Sequence, residues 1–184
     1  MFCGEHLRAP ATQRGGWLSA ERRRRTMGGG MQHEPIDASN IVRRLWVGGK
    51  PPFDRDFPGF DTLVLCAEEL QPERVGFSGT VIRCPIPDSL LDTPQTLRAV
   101  HVARQVAGQL ADGKTVLVTC AAGLNRSALV AAMALGYVTT MSSKQIVELI
   151  RRQRSKNALF NRSFCSLIEK VVDAQNRRRR VARS

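Results

Sequence analysis

A thiol and a guanidinium group bracket a short segment that can bind an anion. An apolar run leads into Cys120, Arg126 follows after five intervening residues, and Ser127 opens a helical pattern. The intervening residues are Ala121, Ala122, Gly123, Leu124 and Asn125. Their backbone N–H groups can turn inward around an oxyanion, and the following helix adds the positive end of its dipole. We therefore predict that these five residues bind a phosphate group of the substrate.

The side chains of this segment add the groups that a reaction at phosphorus needs. Arg126 can grip two phosphate oxygens through its planar guanidinium. The positive surroundings favour the thiolate form of Cys120 at neutral pH, which makes it a nucleophile. Gly123 allows the tight loop a positive φ. Ser127 is expected to hydrogen-bond the Cys120 sulfur and make it a better leaving group. The segment predicts nucleophilic attack by Cys120 on a phosphate.

The Cys-x5-Arg-Ser segment resembles the signature loop of the cysteine-dependent protein tyrosine phosphatases. Because it lies late in the chain and follows an aspartate-bearing loop, the chain resembles the dual-specificity phosphatases. The resemblance spans residues 36–174 and includes LWVGG at 45–49, the helix end at 151–154, and the Asn-x-x-Phe element from Asn161 to Phe164. It implies hydrolysis of phosphotyrosine, and of phosphoserine and phosphothreonine, on protein substrates. The implied route is a cysteinyl-phosphate intermediate, with no metal or other cofactor.

One position departs from this resemblance. The family usually has histidine immediately before the cysteine, and this chain has Thr119. The family histidine supports the loop backbone, so we expect the threonine hydroxyl to replace part of that hydrogen bonding, with lower activity or altered substrate choice. Thr119 also leaves open a non-catalytic phosphate-binding module. Phosphoinositides and RNA 5′-triphosphates, which other members of the superfamily hydrolyse, are alternative substrates.

Two aspartates upstream of the segment are candidates for the general acid of such a reaction. Asp88 directly follows a predicted strand, where the resemblance implies the acid loop begins, and lies 32 residues before Cys120. Asp92 immediately precedes Thr93-Pro94, so a role in starting a helix or a turn explains it. We favour Asp88 as the acid that protonates the leaving oxygen and later deprotonates water.

The elements that must position these residues alternate between strands and helices. Apolar runs predict strands at residues 45–47, 62–66, 80–84 and 115–119. Helical patterns follow at residues 93–110, 127–138, 142–150 and 164–172. Since no hairpin signal is present, we predict an α/β fold of three layers, with a mostly parallel central sheet flanked by helices.

Local signals define the starts of two of these helices. Thr93 is expected to be the N-cap of the first, with Pro94 at its first position and Leu97 on its buried stripe. Ser142 and Gln145 have the spacing of a capping box at the start of the third.

The positive charge is concentrated at the C-terminal end. The net charge is +12, and residues 151–184 contribute eleven basic and two acidic residues to it. We divide the chain into a disordered leader at 1–33, a catalytic domain at 34–174 and a basic tail at 175–184. Such a tail predicts weak polyanion binding, and leaves a nucleic-acid binder as a third possible function, but it equally fits a solvated end. Arg151, Arg152 and Arg154 are likewise interpreted as a solvated helix end, with a position near the pocket mouth as the alternative.

The cysteines and the apolar runs indicate the cellular compartment. The five cysteines form no CxxC pair, so neither a disulfide framework nor a zinc site is predicted. Cys66, Cys84 and Cys165 are interpreted as small buried hydrophobes, with capture of oxidised Cys120 in a disulfide as the alternative. No apolar run is long enough to span a bilayer. We expect a reducing, cytoplasmic location.

Overall fold

The structure is a computed structural model, and it describes residues 35–183 of the chain. The predicted leader at 1–33 lies outside the described residues. No helix in the described part is long and apolar enough to cross a membrane.

The five strands within residues 35–183 form one mostly parallel sheet, as the sequence predicts. The strands are β1 (Ala38–Val42), β2 (Leu45–Gly48), β3 (Thr62–Ala67), β4 (Thr80–Ile86) and β5 (Val116–Thr119). Their order in the sheet is β1-β2-β5-β3-β4, and every neighbouring pair is parallel except β1 with β2. All side chains of β3 and β5 are buried, which explains their continuous apolar sequences.

The antiparallel β1–β2 pair corrects the expectation that the chain has no hairpin. The two strands are joined by Arg43 and Arg44, a pair without the Asn-Gly or Asp-Gly pattern that identifies two-residue turns. Neither arginine has a positive φ. The ladder instead shifts register between Asn40 and Val42, and such an irregularity lets a turn of ordinary residues close the hairpin.

Four helices pack on one face of the sheet. They are α1 (Thr93–Ala111), α2 (Arg126–Val138), α3 (Ser143–Gln153) and α4 (Arg162–Val181). The first eleven of the 13 residues of α2 are buried, because this helix contacts β2, β3 and β5 as well as the other three helices. Its sequence of small and apolar residues suits a helix enclosed on all sides.

The other face of the sheet is covered by loop residues. Phe57 and Phe77 stack with their ring centroids 4.8 Å apart, and they pack against Leu63, Leu65 and Leu117 from the sheet. This cluster forms the third layer of the fold and closes the sheet opposite the helices.

Two details of the helices differ from the predictions. The N-cap of α1 is Asp92, not Thr93: its carboxylate accepts from the Gln95 amide, and the Gln95 side chain accepts from the Asp92 amide. Leu97 is 63% exposed, because α1 packs on α2 through smaller side chains. Those buried residues are Ala99, Val102, Ala103, Val106 and Ala107.

The start of α3 agrees with the sequence prediction, and α4 extends beyond the predicted helix. The capping box predicted for α3, from Ser142 to Gln145, is confirmed. α4 continues to Val181, so most of the segment assigned to the basic tail is helical.

Candidate active site

The Cys-x5-Arg segment forms a loop at the carboxyl end of the parallel strands. It connects β5, which lies between β2 and β3, to the start of α2. We call residues 120–126 the 120–126 loop. In open α/β sheets this end of the strands is where ligands bind, because loops from several strands converge there.

The carbonyl groups of four consecutive loop residues all have donors on the outer side of the loop. The pairs are Ala121 with the Lys50 amide at 3.1 Å, Ala122 with Arg154 Nη2 at 3.2 Å, Gly123 with Arg154 Nε at 3.1 Å, and Leu124 with the Leu159 amide at 2.9 Å. In a planar trans peptide the N–H points opposite to the C=O. The amides of the next residue in each case, from Ala122 to Asn125, are therefore turned toward the inside of the loop.

The Cys120 thiol lies on the inside of this loop. It is 4% exposed, and its Sγ lies 3.3 Å from Ser127 Oγ. The Gly123 amide donates to the same sulfur at 3.2 Å. The sulfur therefore lies beside one backbone donor and one hydroxyl group at the floor of the loop.

Gly123 is required by the shape of the loop. Its φ is +69°, in the left-handed region that favours glycine. A Cβ at this position would lie 2.5 Å from the carbonyl carbon of Gly48 and 2.6 Å from Arg154 Nη2. The loop backbone therefore packs directly on the end of β2, and any larger residue would displace it.

Arg126 is buried at the start of α2 and uses only part of its donor set. Its side chain is 6% exposed, and Nη1 and Nη2 donate to the two oxygens of Glu69 at 2.5 and 2.7 Å. Its Nε is buried, and among the described residues it has no hydrogen-bond partner. A buried donor without a partner costs about 1–3 kcal/mol. An oxyanion in the loop would remove this cost.

The charges around Arg126 keep it protonated. Burial by itself would lower the pKa of Arg126, but its hydrogen bonds to Glu69 and the nearby acidic groups of Cys120 and Asp88 outweigh this and raise it. In return, the hydrogen bonds from Arg126 lower the pKa of Glu69. Glu69 was not predicted, because its only local signal is its position shortly after the buried strand β3, at the edge where the loops meet.

The structure brings Asp88, and not Asp92, to the 120–126 loop. Asn125, which is 1% exposed, donates from Nδ2 to Asp88 Oδ1 at 3.0 Å. Asn125 Oδ1 in turn accepts from the Asn161 amide at 3.4 Å. Asp92 is engaged in capping α1. Asn125 therefore connects the candidate acid, the loop and the residue that caps α4.

The Thr119 hydroxyl does not take over the expected support of the loop. It is 1% exposed and donates to the carbonyl oxygen of Val64 in β3 at 2.9 Å. This hydrogen bond joins the end of β5 to the middle of the neighbouring strand β3. Thr119 thus fixes the strand from which the loop departs, and the backbone of residues 121–124 is held by the other contacts described above.

One of the three arginines at the end of α3 is not the solvated residue that the sequence suggested. Arg154 is half-buried and donates to the 120–126 loop and to Asp37. Arg151 and Arg152 are exposed, as expected, although Arg151 also donates to the carbonyls of Ala158 and Leu159. Asp37 lies 117 positions from Arg154, so no local pattern could have indicated the pair.

Of the three cysteines interpreted as small buried hydrophobes, Cys66 and Cys84 fit the prediction, and Cys165 fits it only in part. Cys66 and Cys84 are fully buried, and Cys165 is half-buried in α4. Burial, together with its neighbours Cys84 and Cys120, raises the pKa of the Cys66 thiol. Within residues 35–183, no group of three or more His, Cys, Asp or Glu side chains is arranged to hold a metal ion.

Comparison with known proteins identifies the fold. No protein-family model and no curated protein matches the chain. Tk-PTP in its active form is 22% identical, covers 74% of this chain and 97% of its own, and superposes with a TM-score of 0.59. A mouse putative dual specificity phosphatase complexed with zinc tungstate is 17% identical over 83% and 96% of the two chains, with a TM-score of 0.65. PTPMT1 in complex with PI(5)P is 16% identical over 77% and 97%, with a TM-score of 0.61. The chain therefore has the fold of the dual-specificity phosphatases.

Proposed function

We propose that this chain, built on the dual-specificity phosphatase fold, hydrolyses phosphate monoesters on proteins through a cysteinyl-phosphate intermediate. The observation that carries the proposal is the set of donors around one sulfur. Four amides of the 120–126 loop face inward, and the buried Nε of Arg126 has no other partner in the described part of the chain. The Gly123 amide donates to the sulfur itself, and a tetrahedral oxyanion bound against Cys120 would accept from the other inward amides and from Arg126 Nε.

The first step is attack by the Cys120 thiolate on phosphorus. The sulfur–phosphorus bond forms while the bond from phosphorus to the ester oxygen breaks, and the leaving oxygen takes a proton from the Asp88 carboxylic acid. The loop amides and Arg126 stabilise the three equatorial oxygens as their charge redistributes. Because these donors are already oriented, little reorganisation is needed in the transition state.

The second step releases inorganic phosphate. A water molecule attacks phosphorus and gives a proton to the Asp88 carboxylate, while the sulfur–phosphorus bond breaks. Ser127, 3.3 Å from the sulfur, donates a hydrogen bond to the departing thiolate. The cycle ends with Cys120 as thiolate and Asp88 protonated again. Arg126 and the amides supply the charge stabilisation, so the mechanism runs without a metal.

The acid assignment follows from the contacts of the two candidate aspartates. Asp88 is held beside the loop by Asn125, and its charge is one of those that raise the pKa of Arg126. Asp92 has both carboxylate and amide occupied by Gln95. These contacts support Asp88, and not Asp92, as the proposed donor to the leaving oxygen.

We propose phosphotyrosine, phosphoserine and phosphothreonine in proteins as the substrates, and a phosphoinositide as the alternative. The alternative is favoured by one comparison, since PTPMT1 was solved in complex with PI(5)P. A panel of phosphopeptides, phosphoinositides and 5′-triphosphate RNA, assayed for released phosphate, separates these classes.

The test of the reaction is hydrolysis of para-nitrophenyl phosphate in the presence of EDTA. We expect turnover by the wild-type chain and a loss of at least ~10⁴-fold in kcat for Cys120→Ser, since a hydroxyl cannot replace the thiolate. Cys165→Ser is the matched control, because Cys165 lies on α4, outside the 120–126 loop, and its Sγ donates to the Leu159 carbonyl. It should retain wild-type activity. Full activity in Cys120→Ser would refute the nucleophile, and phosphopeptide binding without any turnover would favour a non-catalytic module.

A further inference from the structure

Arg154 is the most extensively bonded side chain next to the 120–126 loop. It lies just after α3, and its side chain is 9% exposed. Nε donates to the Gly123 carbonyl at 3.1 Å and Nη2 to the Ala122 carbonyl at 3.2 Å. Nη1 and Nη2 each donate to one oxygen of Asp37 at 2.6 Å. One guanidinium therefore joins the loop to a residue at the start of β1.

The two loop contacts fix the direction of two peptide planes. The Ala122 carbonyl and the Gly123 N–H belong to one peptide, so holding the carbonyl outward turns the N–H inward. That N–H donates to Cys120 Sγ at 3.2 Å. In the same way, the contact with the Gly123 carbonyl turns the Leu124 N–H inward. Arg154 thus orients half of the four amides assigned to the oxyanion.

Asp37 fixes the guanidinium in turn. The hydrogen bonds from Arg154 lower the pKa of Asp37, so the carboxylate is charged at neutral pH. Its backbone carbonyl accepts from the Gly49 amide at 2.9 Å, immediately after β2. The Gly48 carbonyl accepts from the Cys120 amide at 3.2 Å. Asp37 is therefore tied to the same strand end on which the loop rests.

The role of Arg154 is geometric, because its charge is paired. The Asp37 carboxylate neutralises the guanidinium, so Arg154 adds little net positive charge to the loop. Its planar guanidinium has donors on two edges. One edge donates to the Asp37 carboxylate, and the other donates to the carbonyls of Ala122 and Gly123. A lysine ammonium keeps the charge but has a single donor centre, and it cannot reproduce four such bonds at once.

We propose that Arg154 is a positioning residue, held by Asp37, that sets the inward amide orientation needed for oxyanion binding. The proposal rests on the proposed function of the loop. In this proposal Arg154 and Asp37 do not contact the substrate. Through the loop backbone they control the affinity of the loop for a tetrahedral oxyanion and the KM for a phosphate monoester.

The experiment is tungstate binding, measured by isothermal titration calorimetry at 20 °C on the full chain and its variants. We expect Arg154→Ala to raise the dissociation constant for tungstate and the KM for para-nitrophenyl phosphate about tenfold, in the range of one lost charge-assisted hydrogen bond. Arg154→Lys should recover less than half of this loss on a logarithmic scale. Asp37→Asn should weaken binding about threefold, as expected for an exposed ion pair. Arg152→Ala, which removes the same charge two positions earlier, should match wild type.

The outcomes separate the positioning role from a merely structural one and from the function of the loop. The positioning role is overturned if Arg154→Ala lowers the Tm but its dissociation constant for tungstate stays within twofold of that of Arg152→Ala. Full recovery by Arg154→Lys overturns it as well, because charge alone would then suffice. If Arg154→Ala does not fold, Asp37→Asn decides by the same criterion. Wild-type protein that binds tungstate but hydrolyses no aryl phosphate overturns the proposed function, while the dissociation constants still test Arg154.

Discussion

The 120–126 loop and the loop that carries Asp88 are held in very different ways. In the first, four consecutive carbonyls are hydrogen-bonded and Cys120 and Arg126 are buried. In the second, residues 87–92 form no helix or strand, and Leu90 is 78% exposed. A hydrogen bond from Asn125 to Asp88 joins the two loops.

This difference matches the two tasks of the proposed reaction. Donors that stabilise the transferring phosphate act best when they are oriented in advance, because they then need no reorganisation. A general acid must instead meet leaving groups of different size and must later reach a water molecule. The structure thus combines a fixed candidate binding loop with a candidate acid that is held beside it by the hydrogen bond from Asn125.

Among the changes that test this comparison of the two loops, the largest expected effect is at Arg126, in the fixed loop. We expect Arg126→Lys to lower kcat/KM for para-nitrophenyl phosphate about 10³-fold, since removing one preorganised donor costs ~10²–10³ in rate. A lysine cannot pair with both oxygens of Glu69 and also present the equivalent of Nε to the phosphate. Steady-state kinetics check this, and a loss under tenfold would show that the loop amides suffice.

The next effect separates the two aspartates of the Asp88 loop. Asp88→Asn should lower kcat about 10²-fold and leave the tungstate dissociation constant unchanged, because it removes a proton donor and not a binding group. Asp92→Asn should keep kcat, since asparagine also caps helices well. The pH profiles of kcat check the assignment. A full-rate Asp88→Asn with an impaired Asp92→Asn would reverse it.

The smallest effect concerns the ion pair that orients Arg126. The pKa of Glu69 is lowered by Arg126 from its ordinary value of 4.5, so the pair stabilises the fold fully above that value and loses its contribution as the pH falls through the lowered pKa. Glu69→Gln should lower the free energy of unfolding by ~1 kcal/mol or less at pH 7, because the Glu69 side chain is half-exposed. Well below pH 4.5 the substitution should leave the free energy of unfolding unchanged. Urea unfolding at several pH values measures it.

The control for this prediction is the adjacent exposed residue. Glu68→Gln should show no such pH-dependent difference from wild type. A Glu69→Gln deficit that stays constant down to low pH would contradict the ion pair as its cause.

The sequence predicted four of the five strands within residues 35–183, the buried helix α2 and the position of the 120–126 loop, because each has a local pattern. The run of apolar residues before Cys120 and the five-residue spacing to Arg126 are read directly from the chain. The hairpin of β1 and β2 was missed, since Arg43 and Arg44 carry no turn signal.

The supporting residues could not be predicted because the topology brings them together. Asp37 and Arg154 meet across 117 positions, and Glu69 reaches Arg126 across 57. Leu97 was assigned to the core by its helical spacing, but α1 packs through its alanines and valines on the small residues of α2, so leucine is left outside. Packing partners, which a single helix pattern does not contain, decide such cases.

The most direct test of the account is the chemical identity of the intermediate. Turnover of para-nitrophenyl phosphate by Asp88→Asn, which slows hydrolysis of the intermediate, is quenched rapidly in acid and the peptides are analysed by mass spectrometry. The account predicts phosphate attached to the sulfur of Cys120 during turnover and none in Cys120→Ser. Turnover with no phosphate on Cys120, or phosphate on a different residue, would contradict it.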